Sequence, residues 1–178
     1  DETFIELTDE GTGNSVISLV KEFDNLFVIR AFTKVFAVPG LRLGYGIGNE
    51  RIVERIRHMQ QPWPVNSIAA CAGDFLPEAG EYLEKTRNWL MTEKEWLYKS
   101  LCSIPGLKVY EPHTNFILVK LTKHDTDAAI LKKQMVQKGI LIRDASSFRF
   151  LDNYFFRVAV KDRPDNKRLV ETLRSLFT

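Results

Sequence analysis

The chain has 178 residues, of which 44% are apolar, 11% aromatic and 27% charged. That balance belongs to a soluble globular protein, not a disordered tail, and the length suits one domain or one domain plus part of another. With 25 basic and 23 acidic residues the net charge is +2, too even for a nucleic-acid footprint, and no apolar run approaches the roughly 20 residues of a membrane span, so neither nucleic acid nor membrane is an expected partner.

The sequence starts with Asp, not Met, and enters a strand-like run, Asp1-Glu2-Thr3-Phe4-Ile5-Glu6-Leu7, with no lead-in. A cut is expected there, not a natural start. Val16, Leu19, Val20 and Phe23 fall at i, i+3, i+4 and i+7, which predicts a helix face with Asn14 or Ser15 as N-cap. Leu26-Phe27-Val28-Ile29 is a continuous apolar run, as in a strand buried on both faces of a parallel sheet. Strand, helix, strand predicts a βαβ unit with a right-handed crossover, hence an α/β class. Leu41–Ile47 reads as a further strand. A helix is expected from Asn49, with Ile52, Val53, Ile56 and Met59 on its inner side.

From about Pro77 the texture changes. Leu83, Leu90, Leu97 and Ile104 recur every seven residues with Leu101 beside them, one long helix stopped by Pro105-Gly106. At 1.5 Å per residue it would span about 40 Å, enough to link two lobes. Strands are expected around Lys108–Tyr110, Asn115–Leu121, Ile140–Arg143 and Tyr154–Val160. A helix is expected over Asp125–Lys138 with Gly139 in the C′ role. A last helix opens at Pro164, with Leu169, Val170, Leu173 and Leu176 facing inward. Residues 77–178 thus read as an α+β lobe, with the boundary within or just before the long helix.

Cys71 and Cys102 stand far apart in apolar settings and are expected to be buried hydrophobes in a reducing, cytoplasmic compartment. His58, His113 and His124 lack metal-ligand spacing, so no metal site is expected. Gly44-Tyr45-Gly46-Ile47-Gly48 spaces its glycines as G-x-G-x-G and fails the dinucleotide pattern. On a strand the three glycines share one face, which suits a close backbone approach.

The informative stretch runs Arg30-Ala31-Phe32-Thr33-Lys34-Val35-Phe36-Ala37-Val38-Pro39-Gly40-Leu41-Arg42-Leu43-Gly44-Tyr45. Lys34 follows the C-terminal end of a predicted buried strand, the edge where open α/β sheets bind ligands. Its apolar neighbours would desolvate the ammonium, and desolvated lysines are the usual Schiff-base formers. Thr33 adds a hydroxyl, and Arg42 a fork that matches phosphate.

This stretch resembles the lysine motif of the fold-type I pyridoxal-phosphate enzymes, the aminotransferase class I/II family, in the branch of histidinol-phosphate aminotransferase and threonine-phosphate decarboxylase. Asp1-Glu2-Thr3-Phe4, Pro62-Trp63-Pro64-Val65-Asn66-Ser67, Gly139-Ile140-Leu141-Ile142-Arg143-Asp144 and Phe156-Arg157-Val158-Ala159-Val160 resemble further motifs of that family. The likeness covers the whole chain but only the C-terminal half of a family member. It implies that residues 1–76 are the trailing part of a large cofactor-binding domain and residues 77–178 the small domain. It also implies pyridoxal 5′-phosphate as cofactor and a homodimer as the parent assembly.

The resemblance assigns roles by position. Lys34 forms the Schiff base and moves the proton. Asp1 pairs with the pyridinium nitrogen, and Thr33 and Arg42 hold the phosphate. Arg157 clamps the substrate carboxylate. Arg143 reaches a distal phosphate, a role for which Arg149 competes. Two positions depart from the pattern: Ala31 stands where members often carry Ser or Thr, and Phe4 where many carry Tyr. The implied activity is transamination of an amino acid or amino-acid phosphate, with decarboxylation of threonine phosphate as the alternative. The glycine-rich phosphate turn, the ring-stacking aromatic and an Asn of the family all precede the position of Asp1. The chain as given is therefore expected to bind the cofactor weakly or not at all, and to associate through bare apolar surface.

Overall fold

The computed structural model describes residues 1–76, 79–123 and 125–177. Pro77, where the expected boundary was set, and His124 lie outside the described residues. The chain divides into two compact units, Asp1–Arg87 and Asn88–Thr178, with the division inside a long helix.

The first unit mixes short helices with two strands. Strand β1 (Phe27–Ala31) runs into a single helical turn, α1 (Phe32–Val35), and strand β2 (Gly44–Gly48) leads to helices α2 (Glu50–Met59) and α3 (Ser67–Phe75). β1 pairs with β2 antiparallel, Arg30 opposite Tyr45 and Phe27 opposite Gly48. The mixed helix-and-strand class expected from sequence stands, but the strand–helix–strand reading does not hold locally: among the described residues β1 has no parallel partner, and Ile29, expected inside, is 48% exposed.

The glycines of β2 do admit a close approach. A Cβ on Gly44 would meet Arg30 O at 2.7 Å, and one on Gly48 would meet the Phe27 ring at 2.6 Å.

Two further expectations are corrected. The opening run is not a strand. Asp1 accepts the Thr3 N–H at 2.9 Å, which turns the chain, and a 3-10 turn follows at Ile5–Leu7. Nor is Val16–Phe23 an α-helix. It tightens to a 3-10 helix, Ile17–Lys21, with no side-chain cap at its Val16 N-cap. The segment is short and rich in β-branched residues, and so few residues repay helix nucleation poorly.

Helix α2 starts where expected, with Asn49 Oδ1 accepting the Arg51 N–H. Its expected inner side is uncovered: none of its residues is buried, and Met59 is 83% exposed. Cys71 and Cys102 are both exposed, not buried as expected. α3, which carries Cys71, buries only Ala69, and Cys102 is the last residue of its helix.

That helix, α4, spans Gly80–Cys102. Its heptad residues Leu90 and Leu97 are fully buried, as is Leu101. The second unit contains most of α4 and a four-stranded antiparallel sheet of order β3-β4-β6-β5. These strands are β3 (Leu107–Val109), β4 (Phe116–Leu121), β5 (Arg143–Asp144) and β6 (Phe155–Ala159). β4 alternates half-buried and buried residues, the mark of a sheet with one face on a core.

Helix α5 (Ala128–Gln137) is capped by Asp127, whose Oδ1 accepts the Ile130 N–H at 2.8 Å. It ends as its sequence predicts. Gly139 takes φ +71°, its N–H reaches Val136 O, and the Ile140 N–H reaches Met135 O, the Schellman pattern. Helix α6 (Arg163–Phe177) buries Leu169, Val170 and Leu173. Among the described residues no helix is long and apolar enough to cross a membrane.

Candidate functional site

β1 and α1 decide where Lys34 sits. The strand ends at Ala31, whose extended backbone caps α1. The single turn then carries Thr33 and Lys34 beyond the strand while Val35 turns inward and is buried. A cleft of about 570 Å³ opens here, with Thr3, Thr33, Lys34, Arg42, Gly44 and Tyr45 among its lining residues. So three residues picked from the sequence line one cleft of the first unit.

Lys34 is exposed, and its Nζ lies 5.8 Å from the Phe4 ring centroid. The expected desolvation of its ammonium is therefore not found: the apolar residues around it in sequence, such as Val35, point elsewhere. Arg42 adopts a left-handed backbone with φ 54° and folds its Nη1 onto Pro39 O at 3.0 Å. Asp1 is exposed, and its carboxylate accepts both the N–H and the hydroxyl of Thr3. An amine, a hydroxyl and a guanidinium on one cleft match the donor set that an aldehyde bearing a phosphate requires. On that ground the residues present fit pyridoxal phosphate.

One feature of this unit was missed from sequence. Arg30 donates from Nε and Nη2 to Glu2 Oε2 at 3.1 and 3.0 Å, and from Nη2 to Ser15 Oγ at 2.9 Å. Burial alone would raise the Glu2 carboxyl's pKa. The bonds from the Val16 N–H, Ser15 and Arg30 outweigh burial and hold it below the ordinary glutamate range. Glu2 and Arg30 both lie within the quoted motifs, but spacing alone does not pair residues so far apart.

In the second unit, Arg157 on β6 stands directly opposite Arg143 on β5 and opposite Leu118 on β4. Its guanidinium carbon lies 4.4 Å from the Phe116 ring centroid and 5.8 Å from that of Phe148. Arg143 approaches the same Phe148 ring at 5.8 Å. Two like charges opposed across a sheet repel, and no carboxylate pairs with Arg157 among the described residues. Arg149 lies instead against Phe150, at 4.9 Å. Phe148 and the Arg143–Arg157 register were missed because cross-strand register is not readable from one strand at a time.

The family model "Aminotransferase class I and II" matches residues 1–173. A protein of Caldanaerobacter subterraneus subsp. tengcongensis, provisionally named threonine-phosphate decarboxylase, is 46% identical over 99% of this chain and 48% of its own length. The threonine-phosphate decarboxylase of Salmonella typhimurium is 35% identical over 100% of the chain and 48% of its own. The crystal structure of the histidinol-phosphate aminotransferase from Clostridium acetobutylicum superposes with a TM-score of 0.91 at 33% identity, over 99% of this chain and 52% of that one. The chain spans about half the length of the relatives it matches.

Proposed function

The chain belongs to the aminotransferase class I and II family, and on that premise we propose that the protein carrying it is a pyridoxal-phosphate enzyme acting on a phosphorylated amino substrate. Residues 1–76 contribute to its cofactor-binding domain and residues 77–178 form its small domain. Bound pyridoxal phosphate supplies an electron sink for charge developing at the substrate α-carbon.

The chain's own residues do the rest. Lys34 Nζ would hold the cofactor covalently, and as a free amine it would take or return a proton at the substrate α-carbon. Asp1 would pair with the ring nitrogen and keep it protonated. Thr33 and Arg42 would hold the phosphate. Arg157 grips the substrate carboxylate, and Arg143 the phosphate of the substrate.

The observation that carries this reading is the opposition of Arg143 and Arg157 over one aromatic ring. Two forks side by side, with no carboxylate on Arg157 among the described residues, fit a substrate with two anionic groups. How those forks turn the substrate selects whether the α-proton or the carboxylate leaves.

Transamination is the expectation from sequence. The 46% identity to a relative named for threonine-phosphate decarboxylation favours decarboxylation as the second reading. Assay of the whole protein on threonine phosphate and on histidinol phosphate separates them. Carbon dioxide from the first marks the decarboxylase, a keto product marks the aminotransferase, and neither with either substrate refutes the proposal.

A further inference from the structure

Glu2 and Arg30 carry charge into a part of the first unit where little water reaches them: their side chains are 9% and 12% exposed. Their bonds leave few open ends. Glu2 Oε2 accepts from Arg30 and from the Ser15 hydroxyl, and Glu2 Oε1 accepts the Val16 N–H at 2.8 Å. Arg30 Nη1 lies 3.6 Å from Glu6. The Glu2 backbone N–H donates to Ile29 O at 2.8 Å. Glu2 is thus tied to β1 twice, by its backbone to Ile29 and by its side chain to Arg30.

A buried ion pair contributes little net stability, because desolvation offsets most of the attraction. What it supplies is geometry. Asp1, the residue before Glu2, spends its carboxylate on Thr3 and makes no bond to β1. Its position relative to β1 is therefore set by its neighbour. Arg30 precedes Thr33 and Lys34 on the same short run of strand and turn. It also borders two clefts, the one that holds Lys34 and a second of about 280 Å³ bounded by Glu6, Phe36 and Leu83.

We propose that the Glu2–Arg30 pair is a positioning clamp that fixes Asp1 against the Lys34 turn, so that a pyridoxal ring meets the carboxylate and the amine at a set separation. Both residues act through others and touch no reacting atom. The inference rests on the pyridoxal-phosphate reading above.

The test uses the whole protein with Glu2→Gln, Arg30→Lys and Ser15→Ala. Three quantities are measured: the dissociation constant of pyridoxal phosphate from its visible band, the induced circular dichroism per cofactor bound at saturation, and the thermal midpoint without cofactor. The clamp predicts that Glu2→Gln and Arg30→Lys weaken cofactor binding about tenfold and lower the induced signal, since small misplacements at a site cost that much or more. Ser15→Ala moves both quantities the same way by less. Should the first two variants fail to fold, Ser15→Ala decides on the same readouts.

Folded variants with a lowered midpoint but unchanged affinity and unchanged induced signal would overturn the clamp and leave the pair a structural tie. An unsubstituted protein that forms no Lys34-dependent visible band overturns the pyridoxal-phosphate reading itself, and the clamp with it.

Discussion

Replacing Glu93 by Gln tests the polar joint between α4 and α6. Glu93 accepts Arg163 Nε on both oxygens, at 3.1 and 3.0 Å, and Asn166 Nδ2 at 3.1 Å. Arg163 lies 4.5 Å from the Trp96 ring centroid. The Gln amide keeps one acceptor and turns a donor toward Arg163 or Asn166. Hydrogen bonds to charged groups contribute about 1.5–3 kcal/mol net. The Arg163 side chain is 35% exposed and can rehydrate, which places the loss near the lower end, about 2 kcal/mol or on the order of 10 °C in Tm for a unit of this size.

The pH dependence gives a sharper check. Arg163's hydrogen bond is the main influence on the Glu93 carboxyl; burial opposes it and Asn166 adds to it, and the net result lies below the ordinary 4.5. A depressed carboxyl contributes stability that is complete above its unfolded value and is lost as pH falls through the folded one. Thermal unfolding followed from pH 7 downward should therefore show a constant gap between native and variant at neutral pH, closing below pH 4.5. Equal stability at pH 7, or a gap undiminished in strong acid, refutes the account.

Three further outcomes are expected. Lys34→Ala in the whole protein should abolish both the cofactor's visible band and turnover; retention of either, by absorbance or product assay, removes Lys34 from its role. Arg143→Ala should weaken a phosphorylated substrate about 10- to 100-fold, from the 1.5–3 kcal/mol of a charged hydrogen bond, and spare its unphosphorylated analogue, whereas Arg157→Ala should weaken both; steady-state KM values that rise alike on both substrates for the two variants contradict the division. Phe156→Ala, at a fully buried position in the sheet of the second unit, should cost about 3–5 kcal/mol, read by denaturant unfolding.

What was legible in the sequence followed from local rules. Asn49 marked where α2 begins and Gly139 the cap that ends α5, because helix ends are decided within a few residues. The heptad leucines announced α4, because a 23-residue helix averages out local noise. The failures were nonlocal. The antiparallel pairing of β1 with β2 depends on which strands are available to pair, and an apolar run carries no record of that. The Val16–Phe23 periodicity was real, yet its Val16 N–H is committed to Glu2, a contact made from the other end of the segment. Lys34, Thr33 and Arg42 share one motif, and the fold brings all three to one cleft. The Glu2–Arg30 ion pair and the place of the Phe148 ring could not be read in advance, since each depends on segments that meet only after folding.

Arg157 and Arg163 invite a direct comparison, because the second unit treats two similar guanidiniums differently. Each lies against an aromatic ring, at 4.4 Å from Phe116 and 4.5 Å from Trp96. Stacking of that kind stabilises a weakly hydrated cation but leaves its in-plane donors unused. Arg163 spends its Nε on Glu93. Arg157 is given a second arginine across the strand instead, an arrangement that costs free energy in the empty sheet. A glutamate at position 143 would have relieved that cost with no change of fold, since an exposed position on a two-residue strand tolerates either. An anion held between the two forks would offset that repulsion. The contrast with Arg163 thus favours an incoming anion over a structural ion pair as the partner of Arg157.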